Sequence, residues 1–345
     1  MTLAPWHEEA WRLLDSRRRA GTFPHALLLS GASGFGKREF AEQLAAALLC
    51  EDGAAAPCGV CRSCRLYANR SQRDPVEMRP DDRLAQPHGH PGHPDARFVG
   101  HVLNEKASPK KMYTEIVVEQ VRDLSEWLAL PAQFGKAQVA LIDPADQMNV
   151  AAANALLKTL EEPGERRHLI LVSSYPARLP ATIRSRCQRV TFAAPTSEQA
   201  LEWLGGQRIE PKAARSALQA SGGNPGLALR WLRDGGLDVR AEVLTDLRAL
   251  CAEKTSPVEV ANRWGRADAQ QRLWFAAALL RDEAEAQARG AAGPLALTPR
   301  PDFTKLSKWF DQTNRARELL RGPLRSELVV LEALAGMAPW AKAAR

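Results

Sequence analysis

Four cysteines, Cys50, Cys58, Cys61 and Cys64, crowd into one short stretch of the chain. Thiolates are soft donors, and Zn²⁺ takes four of them in a closed tetrahedron with no open position for water or substrate, so the spacing reads as a structural zinc site. An iron–sulfur cluster is the other metal group that suits four cysteines. Unliganded core thiols are the third reading, and the polar neighbours Arg62, Ser63 and Arg65 argue against it. Cys187 and Cys251 stand far off and read as ordinary buried residues. Three imidazoles, His88, His90 and His93, also lie close together, but the Pro and Gly between them leave such ligands unfixed, and a solvated loop accounts for the composition.

Gly31-Ala32-Ser33-Gly34-Phe35-Gly36-Lys37 carries the chemistry of a phosphate-cradling loop. Gly31, Gly34 and Gly36 let backbone N–H groups turn inward, a following helix N-terminus favours anions, and Lys37 reaches terminal phosphates. The pattern next asks for a Ser or Thr hydroxyl to hold Mg²⁺, and Arg38 stands there. The second half of such a site is acidic: Asp143 ends an apolar run and can meet a metal, but Pro144 follows it where active sites of this class carry a water-positioning glutamate. With hydroxyl and carboxylate both lost, hydrolysis in the chain's own site is not expected. Whether ATP or ADP binds there is left open, and a glycine-rich turn that binds nothing is the simpler reading.

These groups need a sheet to position them. Ala26–Leu29, Gln138–Ile142, His168–Val172 and Arg189–Phe192 read as strands, and Phe40–Leu49 and Val150–Leu160 as helices. Strand and helix in alternation predict a mainly parallel sheet covered on both faces. After Pro195 the β-type runs stop, and Leu, Ala, Arg and Glu at helical spacing continue to the end, with Ala267–Arg289 and Leu306–Leu320 among the expected helices. Gly222-Gly223-Asn224-Pro225-Gly226 and Asp234-Gly235-Gly236 are breakers. The segments Arg79–Lys111 and Gly290–Pro301 read as flexible loops. Arg186, in Ser185-Arg186-Cys187, falls between a helical stretch and the strand near 189–192, at a sheet edge from which a neighbouring subunit's nucleotide could be reached. Its planar, permanently charged donors suit a γ-phosphate in the transition state. A solvated arginine beside Arg184 and Arg189 is the bland alternative.

The phosphate loop, the four cysteines after it, the run Ala151–Pro163 (AAANALLKTLEEP) and Thr182-Ile183-Arg184-Ser185-Arg186-Cys187 together resemble the bacterial DNA polymerase III clamp-loader subunits. Arg38 and Pro144 are similar to the member that does not hydrolyse ATP rather than to the gamma/tau ATPase. The likeness is strong over roughly residues 20–195 and weak beyond. It implies an α/β P-loop core of the AAA+ type with a parallel sheet and an inserted zinc module at 50–64, spanning 1–194. A small helical lid at 195–235 and an all-α collar domain at 236–345 would follow. It implies that Arg186 acts as an arginine finger in trans, that the collar joins gamma/tau and delta in a pentameric ring, and that the assembly places the beta sliding clamp on primed DNA. The segment 79–111 departs from the family pattern.

With 345 residues, 45% of them hydrophobic and 25% charged, the chain has the composition of a globular protein of two or three domains. Its charge of +7 permits contact with nucleic acid but is modest for this length. No basic-then-apolar leader and no run long enough to span a membrane occurs, and a reducing cytoplasm is the expected compartment. Two other functions compete: an active gamma/tau-like ATPase that tolerates Arg38 and Pro144, and a zinc-stabilised DNA-binding protein. The second lacks the histidines of a ββα finger and an evident base-reading helix.

Overall fold

The computed structural model describes residues 3–81, 83–134, 136–297, 303–320, 322 and 324–336. They form two compact units, one reaching to Arg208 and including Asn224–Leu227, the other made of Ile209–Gly223 and the chain from Ala228 onward.

In the first unit a short 3₁₀ turn, Pro5–His7, leads into α1 (Glu8–Arg19), β1 (Ala26–Ser30), α2 (Lys37–Leu49) and α3 (Arg62–Ala68). Then come the two-residue strands β2 (Arg70–Ser71) and β3 (His90–Pro91), followed by β4 (Ala96–Val99), β5 (Leu103–Asn104) and β6 (Lys111–Met112). The rest is α4 (Val118–Ala129), β7 (Gln138–Ile142), α5 (Val150–Glu161), β8 (Arg167–Ser173), α6 (Ala181–Arg186), β9 (Gln188–Thr191) and α7 (Ser197–Gly206). Five strands make one sheet in the order β4-β7-β8-β1-β9, and all pairs are parallel. Every residue of β1 and β7 is buried, as an apolar run must be when helices cover both faces. Alternate side chains divide the core: Leu27 and Leu29 pack with Phe40, Leu44 and Phe98 on one face, and Leu28 and Ile142 with Leu124 and Leu156 on the other. Because β1 lies between β8 and β9, neither its neighbour in sequence, the loop after it opens at a topological switch point, where α/β sheets place their ligands.

The segment Arg79–Lys111, expected as a flexible loop, instead supplies the edge strand β4, the strand β3 that pairs antiparallel with β2, and β5 with the start of its antiparallel partner β6. Ala96-Arg97-Phe98-Val99 is too short and too interrupted by charge to stand out from its Pro- and Gly-rich flanks. Pairing with β7 and burial of Phe98 decide its conformation. Within Gly290–Pro301, Leu295 is buried and its N–H donates to Glu283 at 2.7 Å; residues 298–301 lie outside the described residues.

The second unit is helical: α8 (Pro211–Ala220), most of α9 (Pro225–Arg233), α10 (Gly236–Cys251), α11 (Pro257–Arg266), α12 (Ala269–Ala288), α13 (Phe303–Leu319) and α14 (Ser326–Ala335). Its core holds Trp231, Trp264 and Phe275, with Trp231 edge-on to Trp274 and Trp264 Nε1 donating to Asp246 at 2.8 Å. No helix among the described residues is long and apolar enough to cross a membrane.

Candidate nucleotide site, metal centre and arginine

The glycine loop runs from the carboxyl end of β1 into α2, whose first residue is Lys37. Gly36 precedes it in the left-handed conformation (φ 71°), with no side chain capping the helix. Gly34 is left-handed too (φ 90°), and a Cβ there would overlap Asn224 Oδ1. Asn224 Nδ2 donates to Ser33 O at 2.7 Å, and a Cβ on Gly226 would overlap Gly34 O, so the 224–226 backbone presses directly on the loop. On the other side Trp6 Nε1 and His7 Nε2 both donate to Phe35 O, at 3.0 and 2.6 Å. Lys37 turns its ammonium onto the loop's own carbonyls, Gly31 O and Ala32 O, both at 2.8 Å, and onto Ser174 Oγ at 3.2 Å. Burial lowers its pKa to about 8.

Arg38 is buried behind this loop. Its Nε meets Glu42 Oε1 at 2.6 Å, its Nη1 lies 3.3 Å from Asp143 Oδ2, its Nη2 donates to Gln86 Oε1, and its guanidinium stacks 4.7 Å from the Phe98 ring centroid. Arg79 Nη2 reaches the same Asp143 oxygen at 2.8 Å, and Arg70 Nη2 reaches Glu42 Oε2 at 3.2 Å. Burial opposes the charged form of Arg38, but Asp143 and Glu42 outweigh it and raise its pKa. Burial likewise pushes Glu42 up, and His88, Arg38 and Arg70 overcome that and hold it below its ordinary 4.5. The acidic residue that would face Mg²⁺ is thus already neutralised by two fixed guanidiniums. Nearby, Asp146 does not face a metal either: its Oδ1 accepts from Ser173 Oγ at 2.5 Å and Ser174 N at 2.9 Å, shaping the turn after β8.

The four cysteine sulfurs lie within 4.8 Å of one another, with Cys50–Cys61 and Cys58–Cys64 at 4.0 Å. A tetrahedral zinc with bonds of about 2.3 Å needs sulfurs about 3.8 Å apart, so the set fits one such ion. Backbone N–H groups of Cys58, Cys61 and Cys64 point at Cys50, Cys58 and Cys61 Sγ at 3.4, 3.4 and 3.3 Å, which suits thiolates. Burial raises the Cys61 pKa, but backbone donors including Cys64 N bring it down to about 7. The three loop imidazoles go to three different partners: His88 to Glu42 at 3.3 Å, His90 to Glu77 at 2.8 Å, His93 to Ser63 Oγ at 2.8 Å. Among the described residues the cysteines are the one group of three or more ligands gathered closely enough for a metal.

Arg186 is the last residue of α6, at the amino end of β9. It is half-buried, bonded to Glu161 Oε1 at 2.5 Å and to Thr182 O at 3.0 Å. The sequence reading missed Glu42, Arg79, Gln86, Asn224 and Glu161. Only Glu42 carried a signal, being four residues after Arg38 on one helix face.

Substituting Arg38→Thr restores the pattern's hydroxyl but leaves Glu42 buried without its main cation. It should cost about 3–5 kcal/mol of stability, read by chemical denaturation of the full chain. Parental stability would show that the cluster holds nothing together. Because Glu42 is held below 4.5, its contribution is intact above that pH and is lost as pH falls through the lower folded value. A Glu42→Gln chain should therefore lose less stability than the parent between neutral and acid pH.

A family profile described as "DNA polymerase III, delta subunit" matches residues 6–196. The chain is 37% identical over 263 residues to DNA polymerase III subunit delta' of Pseudomonas aeruginosa, covering 75% of this chain and 70% of that protein. It is 30% identical over 280 residues to the Escherichia coli protein of the same name, covering 81% and 75%. DNA polymerase III subunit tau of Escherichia coli is 36% identical over 180 residues, covering 52% of this chain and 23% of tau. On this likeness the chain belongs to the delta' family of DNA polymerase III clamp-loader subunits.

Proposed function

We propose that this chain is the subunit of its clamp loader that does not hydrolyse ATP and that presents Arg186 to nucleotide held by a neighbouring gamma/tau-type ATPase. The observation that carries the first half is Arg38: a guanidinium bonded to Asp143 and Glu42 stands where a hydroxyl-held magnesium would be needed. Pro144 supplies no carboxylate to orient water. The second half rests on the half-exposed guanidinium of Arg186 at the amino edge of β9. In this reading the core (1–194) and the lid (195–235) are joined by a collar (236–345) to gamma/tau and delta in a pentameric ring. The ring opens the beta clamp and sets it on primed DNA in the cytoplasm, and Cys50, Cys58, Cys61 and Cys64 hold one structural zinc.

The purified chain should show no ATP turnover above background, and robust turnover abolished by Lys37→Ala would return it to the gamma/tau-like ATPases. In the reconstituted complex, Arg186→Ala should leave assembly intact and depress clamp-dependent, DNA-stimulated hydrolysis. An arginine finger is worth on the order of 10³-fold at its own site. Total turnover falls by less, since other sites keep their own fingers. Unchanged hydrolysis and unchanged clamp loading would make Arg186 a solvated surface residue.

Elemental analysis of chain purified without added metal should find about one zinc per chain, and Cys58→Ser should lower both zinc content and thermal stability. Iron with visible absorbance, or no metal, would rule the zinc assignment out.

A further inference from the structure

We infer that Glu161 is the positioning residue for Arg186, fixing the direction in which the guanidinium faces a neighbour; this rests on the proposed role of Arg186 in trans. Glu161 Oε1 lies 2.5 Å from Arg186 Nη2, while Nη1 donates to Thr182 O at 3.0 Å. A guanidinium has five N–H donors in a fixed plane. Two are used to hold it, and the others stay available for phosphoryl oxygens. The clamp therefore orients the group without consuming it.

Glu161 is not where helix stability would put it. It is the last residue of α5, and a carboxylate at a helix C-terminus faces the negative end of the helix dipole. Nor does the pair do much for the fold, because its members are 35% and 49% exposed, and ion pairs this wet contribute little. What the pair does is restrict a long, rotamer-rich side chain from a rigid mount. Helix α5 is capped by Asn149, whose Oδ1 accepts from Ala152 N at 2.8 Å, and is anchored by buried Leu156 and Leu160. An arginine that must meet a transition state on another subunit gains from arriving in one orientation, since misplacement of about 1 Å can cost as much as 10²-fold in rate.

The test uses the reconstituted complex carrying Glu161→Ala, Glu161→Gln, Arg186→Ala or the Glu161→Ala/Arg186→Ala pair, at equal occupancy, with kcat and KM for ATP measured on clamp and primed DNA. Glu161→Ala should slow turnover about three- to five-fold at the site that Arg186 serves, the size of effect an exposed ion pair can exert, and lower total kcat by less because the other sites are intact, with KM unchanged. Glu161→Gln, whose amide oxygen still accepts from Nη2, should recover most of that loss. In the Arg186→Ala background, Glu161→Ala should change nothing further. If Arg186→Ala is slow but Glu161→Ala matches the parent, the positioning role is wrong and the finger stands. Additive losses in the double variant, or faster turnover in Glu161→Ala, also overturn it. A parental rate for Arg186→Ala removes the finger reading itself, and the positioning role with it.

Discussion

The bond from the Arg38 guanidinium to Glu42 and Asp143 is the contact around which the first unit is organised. A buried cation is costly unless its partners are complete, and here they come from separate parts of the chain. Glu42 lies on the same helix, Asp143 just after strand β7, Gln86 between β2 and β3, and the Phe98 ring on β4. One side chain therefore ties the phosphate-loop helix to the sheet and to the insertion. The position next to Lys37 carries no Ser or Thr hydroxyl. Here it is refilled by a permanent charge, and the surrounding carboxylates have no free role left for a divalent ion.

The same economy joins the cysteine module to the core. Lys136 Nζ, on the loop before β7, donates to Cys50 O and Glu51 O, both at 2.7 Å. Ser63 Oγ, one residue before Cys64, bonds Leu49 O and His93, while Asp95 accepts from the N–H groups of Gln133 and Phe134 at 2.7 and 2.8 Å. Cysteine loop, insertion and β7 loop are thus cross-linked through polar groups that are themselves buried or half-buried. Such contacts need every partner in place to be favourable.

What could be read from the sequence follows from how far apart the interacting residues are. The strands Ala26–Ser30 and Gln138–Ile142, the loop Gly31–Lys37 and the four cysteines are local signals, each complete within a few residues, and the structure places them as elements in the expected order. Edge strand β4 was invisible because Ala96-Arg97-Phe98-Val99 takes its conformation from β7, some forty positions away. Gln86 and Arg79 could not be assigned to Arg38 and Asp143, nor Asn224 to Ser33, since nothing periodic links them. The pairing of Glu161 with Arg186 was equally hidden, although both residues sit in motifs that were singled out for other reasons.

The parallel sheet also separates the two sites. Asp143 follows the carboxyl end of β7, and Arg186 precedes the amino end of β9, which stands three places along the sheet from β7. Three interstrand spacings of about 4.8 Å put about 14 Å of sheet between them. The Arg38 cluster holds Glu42, Asp143 and Gln86, with Arg79, Arg70 and His88 on the two carboxylates, and Arg186 is held by Glu161 and Thr182. In the proposed role the chain gives up turnover beside β7 and rebuilds that place as rigid packing. The Arg186 guanidinium keeps the geometry on which a neighbour would depend.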